Sequence, residues 1–477
     1  MNAEASNFNP ALLGKTVKSF SIDSRQVSAG EVFFALSQPD YQNNCFNGEF
    51  ADSHVYVAAA LEKGAIAAVV RPDRFQEHQA ILGEFQDRLI FVDDAIAAFQ
   101  SLAHGVYLEW NKPVVAITGS AGKTTAKELT AHVLEYSGRK ILRSIKNYNN
   151  GLGLPITVLK LAADNSFDAA VLEMGMSTPN NEIARLCRIT PPDVAVELNV
   201  LPVHVEHLGS IENVAKAKAE LIEGMKPGGT AILNADDWRV AAMRDLHKGE
   251  TITFGIENQA DVSASEIVMK RFGETRFVLN LPNEKAHVKL TLSGKHNVSN
   301  ALAAAAVGFS FGMAAHDIAA ALETIKPPSQ RGEVLHFVEG FTVINDSYNS
   351  NPAALLGMVE TLIDGGNEAK RKIVVAGEML ELGADEREIH AAAGEKLAAS
   401  AIDFLIGVRG LAREMTESAS RHGLKETRFY DGSEAAGEFL ASEIKSGDLV
   451  LVKGSRGVRT EIIIEKLLAK FELESEK

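Results

Sequence analysis

Cysteine is nearly absent. Two in 477 residues, Cys45 and Cys187, lie far apart with no His or Cys at a metal-ligand spacing, which excludes a disulfide framework and a zinc module and leaves two ordinary thiols. Missing too is any apolar run long enough to span a bilayer. The opening Met-Asn-Ala-Glu-Ala-Ser-Asn-Phe has neither the basic nor the apolar segment of a secretory leader. The expectation is a cytoplasmic protein with no membrane insertion. Basic charge is in deficit, 48 Lys and Arg against 63 Asp and Glu, for a formal net charge of −15. That argues against a nucleic-acid or anionic-membrane surface but leaves room for a few cations placed around phosphates. Internal repeats and low-complexity tracts are absent as well.

What the chain has is length and apolar content. With 477 residues and 46% hydrophobic side chains it suggests about three domains. Residues 1–110 mix short strands at 31–36 and 65–70 with a helix near 55–63, contain no catalytic motif, and read as a binding module. Residues 111–326 alternate strands, at 114–118, 168–173, 193–199 and 230–233, with helices, as in a doubly wound parallel sheet. An Ala-rich helix at 300–312 is followed by Pro-Pro-Ser-Gln-Arg-Gly at 327–332, which reads as a hinge. Residues 327–477 have their own alternation, with strands at 341–345, 372–376, 403–408 and 448–453. The fold class is therefore α/β, in three domains.

The most informative segment is Val-Val-Ala-Ile-Thr-Gly-Ser-Ala-Gly-Lys-Thr-Thr at 114–125. An apolar strand runs through a tight Gly turn into a helix whose apolar residues Ala126, Leu129, Val133 and Leu134 keep helical spacing. This is a phosphate-binding loop. Gly119, Ser120, Ala121 and Gly122 bring backbone amides to an anion, the helix N-terminus adds its dipole, Lys123 reaches the outer phosphates, and Thr124, followed by Thr125, can ligate Mg²⁺. The strict pattern has Gly where this chain has Ile117, so the loop is a shortened variant. An ordinary Gly turn opening a helix is the alternative.

In an open parallel sheet the chemistry lies at the carboxyl ends of the strands. Glu173 ends one strand, and His204 follows another after Val-Leu-Pro-Val. Each alone has a structural alternative, a rim carboxylate or a satisfied histidine. With Thr124 they form an oxygen and nitrogen ligand set for one or two Mg²⁺. In the helix at 212–225, Val214, Ala217, Leu221 and Met225 form the apolar stripe. Lys218 falls beside that stripe and Lys216 opposite it. Lys218 is either a lysine snorkelling out of the core or one directed into the site.

Six ordered segments resemble the Mur ligase family over nearly the whole chain. They are Ile-Thr-Gly-Ser-Ala-Gly-Lys-Thr-Thr at 117–125, Asn-Tyr-Asn-Asn-Gly-Leu-Gly-Leu-Pro at 147–155 and Leu-Glu-Met-Gly-Met at 172–176, then Ser-Gly-Lys-His-Asn at 293–297, Asn-Asp-Ser-Tyr-Asn-Ser-Asn-Pro at 345–352 and Val-Lys-Gly-Ser-Arg-Gly at 452–457. The last two narrow the resemblance to the branch that adds a dipeptide. It implies a UDP-sugar-binding mixed α/β domain over 1–110, a central P-loop domain over 111–326, and a Rossmann-like C-terminal domain over 327–477. It also implies ATP and Mg²⁺, UDP-N-acetylmuramoyl-tripeptide and D-alanyl-D-alanine as partners, an acyl phosphate intermediate, peptidoglycan precursor synthesis in the bacterial cytoplasm, and a monomer.

By the same resemblance Lys123, Glu173, His204 and Lys218 are catalytic, and Thr124, Glu173, His204 and Lys218 hold metal, with Lys218 matching a position that is often carbamylated. Asn297 falls to adenine, Asp346 to ribose and Arg331 to the nucleotide. Asn150, Tyr348, Asn349, Asn351, Lys453, Ser455 and Arg456 fall to the peptide substrates, the last three as receivers of the dipeptide carboxylate on an exposed turn. A plain architectural role stays open for Tyr348, Asn349 and Asn351, since Asn351-Pro352 also suits a helix start. A bland turn with solvated charges stays open for the 453–456 segment, and Glu378 and Glu381 have no assigned role. Ser24 and Arg25 match the UDP-sugar pattern, but Asp-Ser-His at 52–54, after a longer loop, stands where the family has Asp-Gly-His. Another amide ligase of this family or of the polyglutamate type, or a P-loop phosphotransferase, is the alternative function.

Overall fold

The computed structural model describes residues 12, 14–46, 49–202, 205–327 and 329–474. Three sheets follow one another along the chain. The first is parallel, β1 (Ser19–Ser21), β2 (Glu31–Phe34), β3 (Ala67–Val70) and β4 (Leu89–Phe91), in that order. The helix Ala95–Trp110 closes this part, with the Asp94 carboxylate accepting from the Ala97 N–H at its start and left-handed Asn111 at its end. Its apolar face belongs to the next unit's core: Phe99, Ala103 and Tyr107 are buried in a cluster that also holds Leu172 and Leu221. Gln100 donates to the Gly151 carbonyl at 2.8 Å and Trp110 to the Phe167 carbonyl at 3.1 Å. A cut at 110 therefore falls at a helix end but not at a gap in packing.

The central sheet is built from β5 (Val114–Thr118), β6 (Ile141–Arg143), β7 (Ala169–Glu173), β8 (Val194–Glu197), β9 (Thr230–Asn234), β10 (Glu250–Gly255), β11 (Val262–Arg271), β12 (Glu274–Asn280) and β13 (Lys285–Leu290). Its order is β13-β12-β11-β10-β9-β8-β5-β7-β6. β5, β7 and β8 are buried at every position, as continuous apolar runs in a sheet covered on both faces should be. The chain leaves β5 toward one edge, returns to β7, then crosses to β8 on the other side. That reversal puts the carboxyl ends of β5, β7 and β8 side by side. Register makes it specific: Ile117 pairs with Glu173 and Thr118 with Glu197.

The sheet departs from all-parallel at its far edge, where β11, β12 and β13 pair antiparallel, with a register shift beside Glu266 at φ +54°. These strands mix polar and apolar residues, so the sequence between 250 and 290 carried no continuous apolar signal. The Ala-rich helix runs Lys295–Ser310, starting earlier than expected; Ala301 and Ala303 to Ala306 are fully buried.

The third sheet comprises β14 (Glu333–His336), β15 (Thr342–Asp346), β16 (Arg371–Gly377), β17 (Phe404–Val408), β18 (Glu426–Tyr430) and β19 (Asp448–Lys453), in the order β14-β15-β19-β16-β17-β18. Apart from the antiparallel β14–β15 pair it is parallel. The segment leading into it has positive φ at Gln330 and Gly332.

Candidate active site

The phosphate loop forms as its sequence demands. Gly122 sits at φ +87°, and a Cβ there would lie 2.4 Å from Asn300 Oδ1, so only glycine fits. Ser120 donates its hydroxyl to the Leu201 carbonyl at 3.1 Å and accepts the Leu201 N–H at 2.8 Å. The Ala121 N–H donates to Asn199 Oδ1 at 2.9 Å, and Asn199 Nδ2 donates back to the Ala121 carbonyl at 3.1 Å. Asn199 thus clamps the loop to the end of β8. Sequence reasoning passed over it, although its place at a strand end beside the loop was a usable signal. Lys123 Nζ folds back onto the Gly119 carbonyl at 2.7 Å. Burial lowers its pKa; Glu173 opposes that, Arg331 adds to it, and Glu197 opposes it.

Beside the loop, Thr124 Oγ1 donates to Glu173 Oε2 at 3.0 Å, and Asn149 Nδ2 donates to Glu173 Oε1 at 2.8 Å. Glu173 and Thr125 are both buried. Asn149 lies in the quoted Asn-Tyr-Asn-Asn segment, but its neighbour Asn150 was the residue singled out. Asn150 instead caps the following turn, its Oδ1 accepting the Leu152 and Gly153 N–H groups, and it reaches the walls of two cavities. His204 lies outside the described residues.

Lys218 is 2% exposed while Lys216 is exposed, so the lysine beside the stripe is the inward one. Burial brings its pKa down to about 7, with Lys123 adding to the effect and Glu197 opposing it. Glu197, not anticipated, is fully buried, and among the described residues neither carboxylate oxygen has a hydrogen-bond partner. Burial pushes its pKa up to about 8, against the pull of Lys218 and Lys123.

The third sheet faces this loop across a shared cleft. Arg331 Nη2 donates to Thr124 Oγ1 at 3.3 Å, and its guanidinium lies 3.9 Å from the Tyr348 ring centroid, with Arg456 at 5.7 Å from the same ring. One cavity of about 400 Å³ is lined by Lys123, Thr124, Asn149, Glu173, Tyr348, Asn349, Asn351, Ser455 and Arg456. A second, of about 290 Å³, lies on the other side of the loop and is lined by Gly122, Thr125, His296, Asn297, Asn300, Asp346 and Lys453.

One expectation is corrected here. Lys453 and Ser455 are not on an exposed turn; each is 4% exposed. Lys453 is committed to Asp346 at 2.5 Å and to the Asn349 carbonyl at 2.9 Å. Ser455 accepts the Leu380 N–H at 3.0 Å, and Arg456 alone of the three is exposed, its guanidinium 3.3 Å from Glu461. Asn351 caps the helix Pro352–Gly365, accepting the Ala354 N–H at 2.9 Å, so its architectural role is present.

A third cavity between the first and central sheets is lined by Asp23, Gln26, Asn147, Tyr148 and Asn150. Ser24 and Arg25 do not line it; Arg25 is turned to solvent and bound by Asp23 at 2.8 Å. In the altered segment, Asp52 accepts from the His54 backbone and ring, and buried His54 accepts the Arg71 N–H at 3.1 Å. Glu378 accepts the Leu411 N–H, and Glu381 lines the first cleft.

A P-loop sheet and a second, mainly parallel sheet that close on one cleft lined by Lys123, Arg331 and Arg456 define an ATP-dependent ligase. Residues 117–308 match the Mur ligase middle domain, residues 330–456 match the family described as Mur ligase, glutamate ligase domain, and the chain belongs to the Mur ligases. Its full-length relatives include the UDP-N-acetylmuramoyl-tripeptide–D-alanyl-D-alanine ligases of Bacillus subtilis, 32% identical over 96% of this chain and 95% of that one, and of Escherichia coli, 32% identical over 95% and 94%. Among solved structures, MurF from Acinetobacter baumannii superposes with a TM-score of 0.82 over 98% of this chain and 100% of that one, at 26% identity. MurF from Thermotoga maritima in complex with ADP gives 0.80 over 96% and 98%, at 27% identity.

Proposed function

We propose that the chain joins the amine of D-alanyl-D-alanine to the terminal carboxylate of UDP-N-acetylmuramoyl-tripeptide, giving UDP-N-acetylmuramoyl-pentapeptide, ADP and phosphate, for peptidoglycan precursor synthesis in the bacterial cytoplasm. The observation that carries this reading is the cleft in which the P-loop pair Thr124 and Glu173 meets Arg331 and Tyr348 from the third sheet. ATP is assigned to the second cavity, with Asn297 at adenine, Asp346 at ribose and the phosphates over the loop. The dipeptide is assigned to the first cleft, near Tyr348, Asn349, Asn351 and Arg456, and the UDP-sugar to the third cavity. Residues 1–110, 111–326 and 327–477 are the corresponding substrate, nucleotide and closing units, acting as a monomer.

The chemistry needs cations more than a nucleophilic side chain. The substrate carboxylate attacks the γ-phosphorus, ADP leaves, and an acyl phosphate results; the dipeptide amine then attacks the acyl carbon, loses a proton and expels phosphate. Lys123 and Arg331 offset the repulsion between carboxylate and polyphosphate and stabilise the transferring group. Among the described residues no cluster of three or more His, Cys, Asp and Glu side chains is placed to hold a metal ion. Thr124 and Glu173 do present paired hard oxygen donors at the loop, which fits Mg²⁺ held partly by substrate phosphates. When bound, Mg²⁺ supplies charge neutralisation on those phosphates. His204 and Lys218 complete the proposed set, the lysine as a carbamate, since a bare ammonium would repel the ion. Its lowered pKa favours the neutral amine that reacts with carbon dioxide. The test is phosphate release from ATP and Mg²⁺ with both substrates, each component omitted in turn. Release requires both, and Lys123→Ala lowers it by about a hundredfold or more; release indifferent to the dipeptide sinks the substrate assignment.

A further inference from the structure

We propose that Lys453 is a positioning residue for the nucleotide ribose, acting through Asp346, and not a receiver of the dipeptide carboxylate. The inference rests on the functional reading above for the identity of the nucleotide cavity. Sheet register brings the two residues together: β15 and β19 are parallel neighbours in which Asp346 pairs with Lys453. The ammonium sits 2.5 Å from Asp346 Oδ2, and a second N–H reaches the Asn349 carbonyl at 2.9 Å. Lys453 is 4% exposed and Asp346 9%. Both line the cavity that holds Asn297, whereas Ser455 and Arg456, two and three residues further on, line the other cleft and Lys453 does not. The strand end thus sends its lysine to one cavity and the following turn to the other.

Two consequences follow for recognition. A buried carboxylate beside a polyphosphate is unfavourable unless a cation accompanies it, and truncating one member of such a pair leaves an uncompensated charge. Lys453 is that cation, and the pair adds no net negative charge near the phosphates. With Oδ2 held by Lys453, Oδ1 accepts no hydrogen bond from the described residues and is the oxygen free to take a ribose hydroxyl. The bond to the Asn349 carbonyl fixes the same carboxylate relative to the 347–351 turn, whose other side forms the dipeptide cleft.

The experiment compares ATP with 2′-deoxy-ATP and 3′-deoxy-ATP in wild type, K453M, K453R, D346N and the D346N/K453M pair, with melting curves for each. K453M is expected to raise the KM for ATP about tenfold, to change kcat less than about threefold, to leave the dipeptide KM within about twofold, and to erase the preference for ATP over a deoxynucleotide. D346N does the same, and the double variant is no worse than either single one. K453R retains the preference, which a purely structural role would not separate from K453M. A raised dipeptide KM with ATP unaffected overturns the assignment. Should K453M not fold, D346N and K453R decide: discrimination lost in the first and kept in the second supports it, and a raised dipeptide KM in K453R overturns it. A wild type that releases no phosphate with both substrates fails the functional reading instead, and calorimetric binding of ATP and the deoxynucleotides then tests Lys453 on its own.

Discussion

Glu197 is the side chain whose energetics are hardest to reconcile with a passive role. Its carboxyl group is fully buried, and both oxygens lack a hydrogen-bond partner among the described residues, a condition that protein interiors seldom tolerate without a functional or electrostatic reason. Burial raises its pKa from 4.5 to about 8. Between those values the folded protein keeps a proton that the unfolded chain has released, so folding stability falls as pH rises through that window. Glu197→Gln removes that slope. The variant's stability relative to wild type is expected to improve by about 2–4 kcal/mol from pH 5 to pH 8, read from denaturant melts at a series of pH values; a difference that does not change with pH would count against a neutral Glu197. The residue was passed over in sequence because the expected strand ran to 199 and placed Glu197 inside it, whereas β8 ends at Glu197. Its meaning comes from Thr118, its partner across the sheet, and from Lys218 on a helix further along. Lys218 was legible, since helical periodicity is local and places it beside its own stripe.

At the scale of elements, the loop that opens the helix Lys123–Tyr136 and the helix Pro352–Gly365 were both readable because their signals are contiguous: Gly-Ser-Ala-Gly-Lys in one, Asn-Pro in the other. The strands β10 to β13 were not: β10, although parallel, and the antiparallel β11 to β13 all interleave polar residues and lack the apolar run of β5 or β7. The commitment of Lys453 to Asp346 was hidden as well, since it depends on a register between strands 107 residues apart. Asn351 joins both kinds of evidence. Its Oδ1 caps the helix while the residue also lines both the first cleft and the second cavity. Asn351→Ala should cost about 1 kcal/mol of stability, whereas Asn351→Asp, which keeps the cap, should melt within about 2 °C of wild type. If the amide nitrogen also binds the dipeptide, both variants raise its KM by about fivefold or more. A rise in the Ala variant alone would assign the effect to the helix start, and an unchanged KM in both would leave Asn351 purely architectural.

For the whole molecule, the site exists only while the second and third sheets are in contact. Arg331 is the connection closest to the chemistry, donating to Thr124 on one side and lying against Tyr348 on the other. It sits between Gln330 and Gly332, both at positive φ, immediately before β14 begins. A short segment in unusual backbone conformations, joining two separately packed sheets, is where a rotation of one against the other is absorbed most easily. Residues 327–332 are therefore proposed as the pivot, with Pro328 outside the described residues. The cleft walls repel one another less once phosphates lie between Lys123 and Arg331, so nucleotide and UDP-substrate together should favour the closed arrangement. Small-angle scattering should show a smaller radius of gyration with an ATP analogue plus the tripeptide substrate than without ligands. Arg331→Ala should blunt that change and raise the KM for ATP by about tenfold, without lowering the melting temperature of the free protein. Scattering profiles that stay the same on adding both ligands would mean that the two sheets are held together without nucleotide, and the pivot would have to be abandoned.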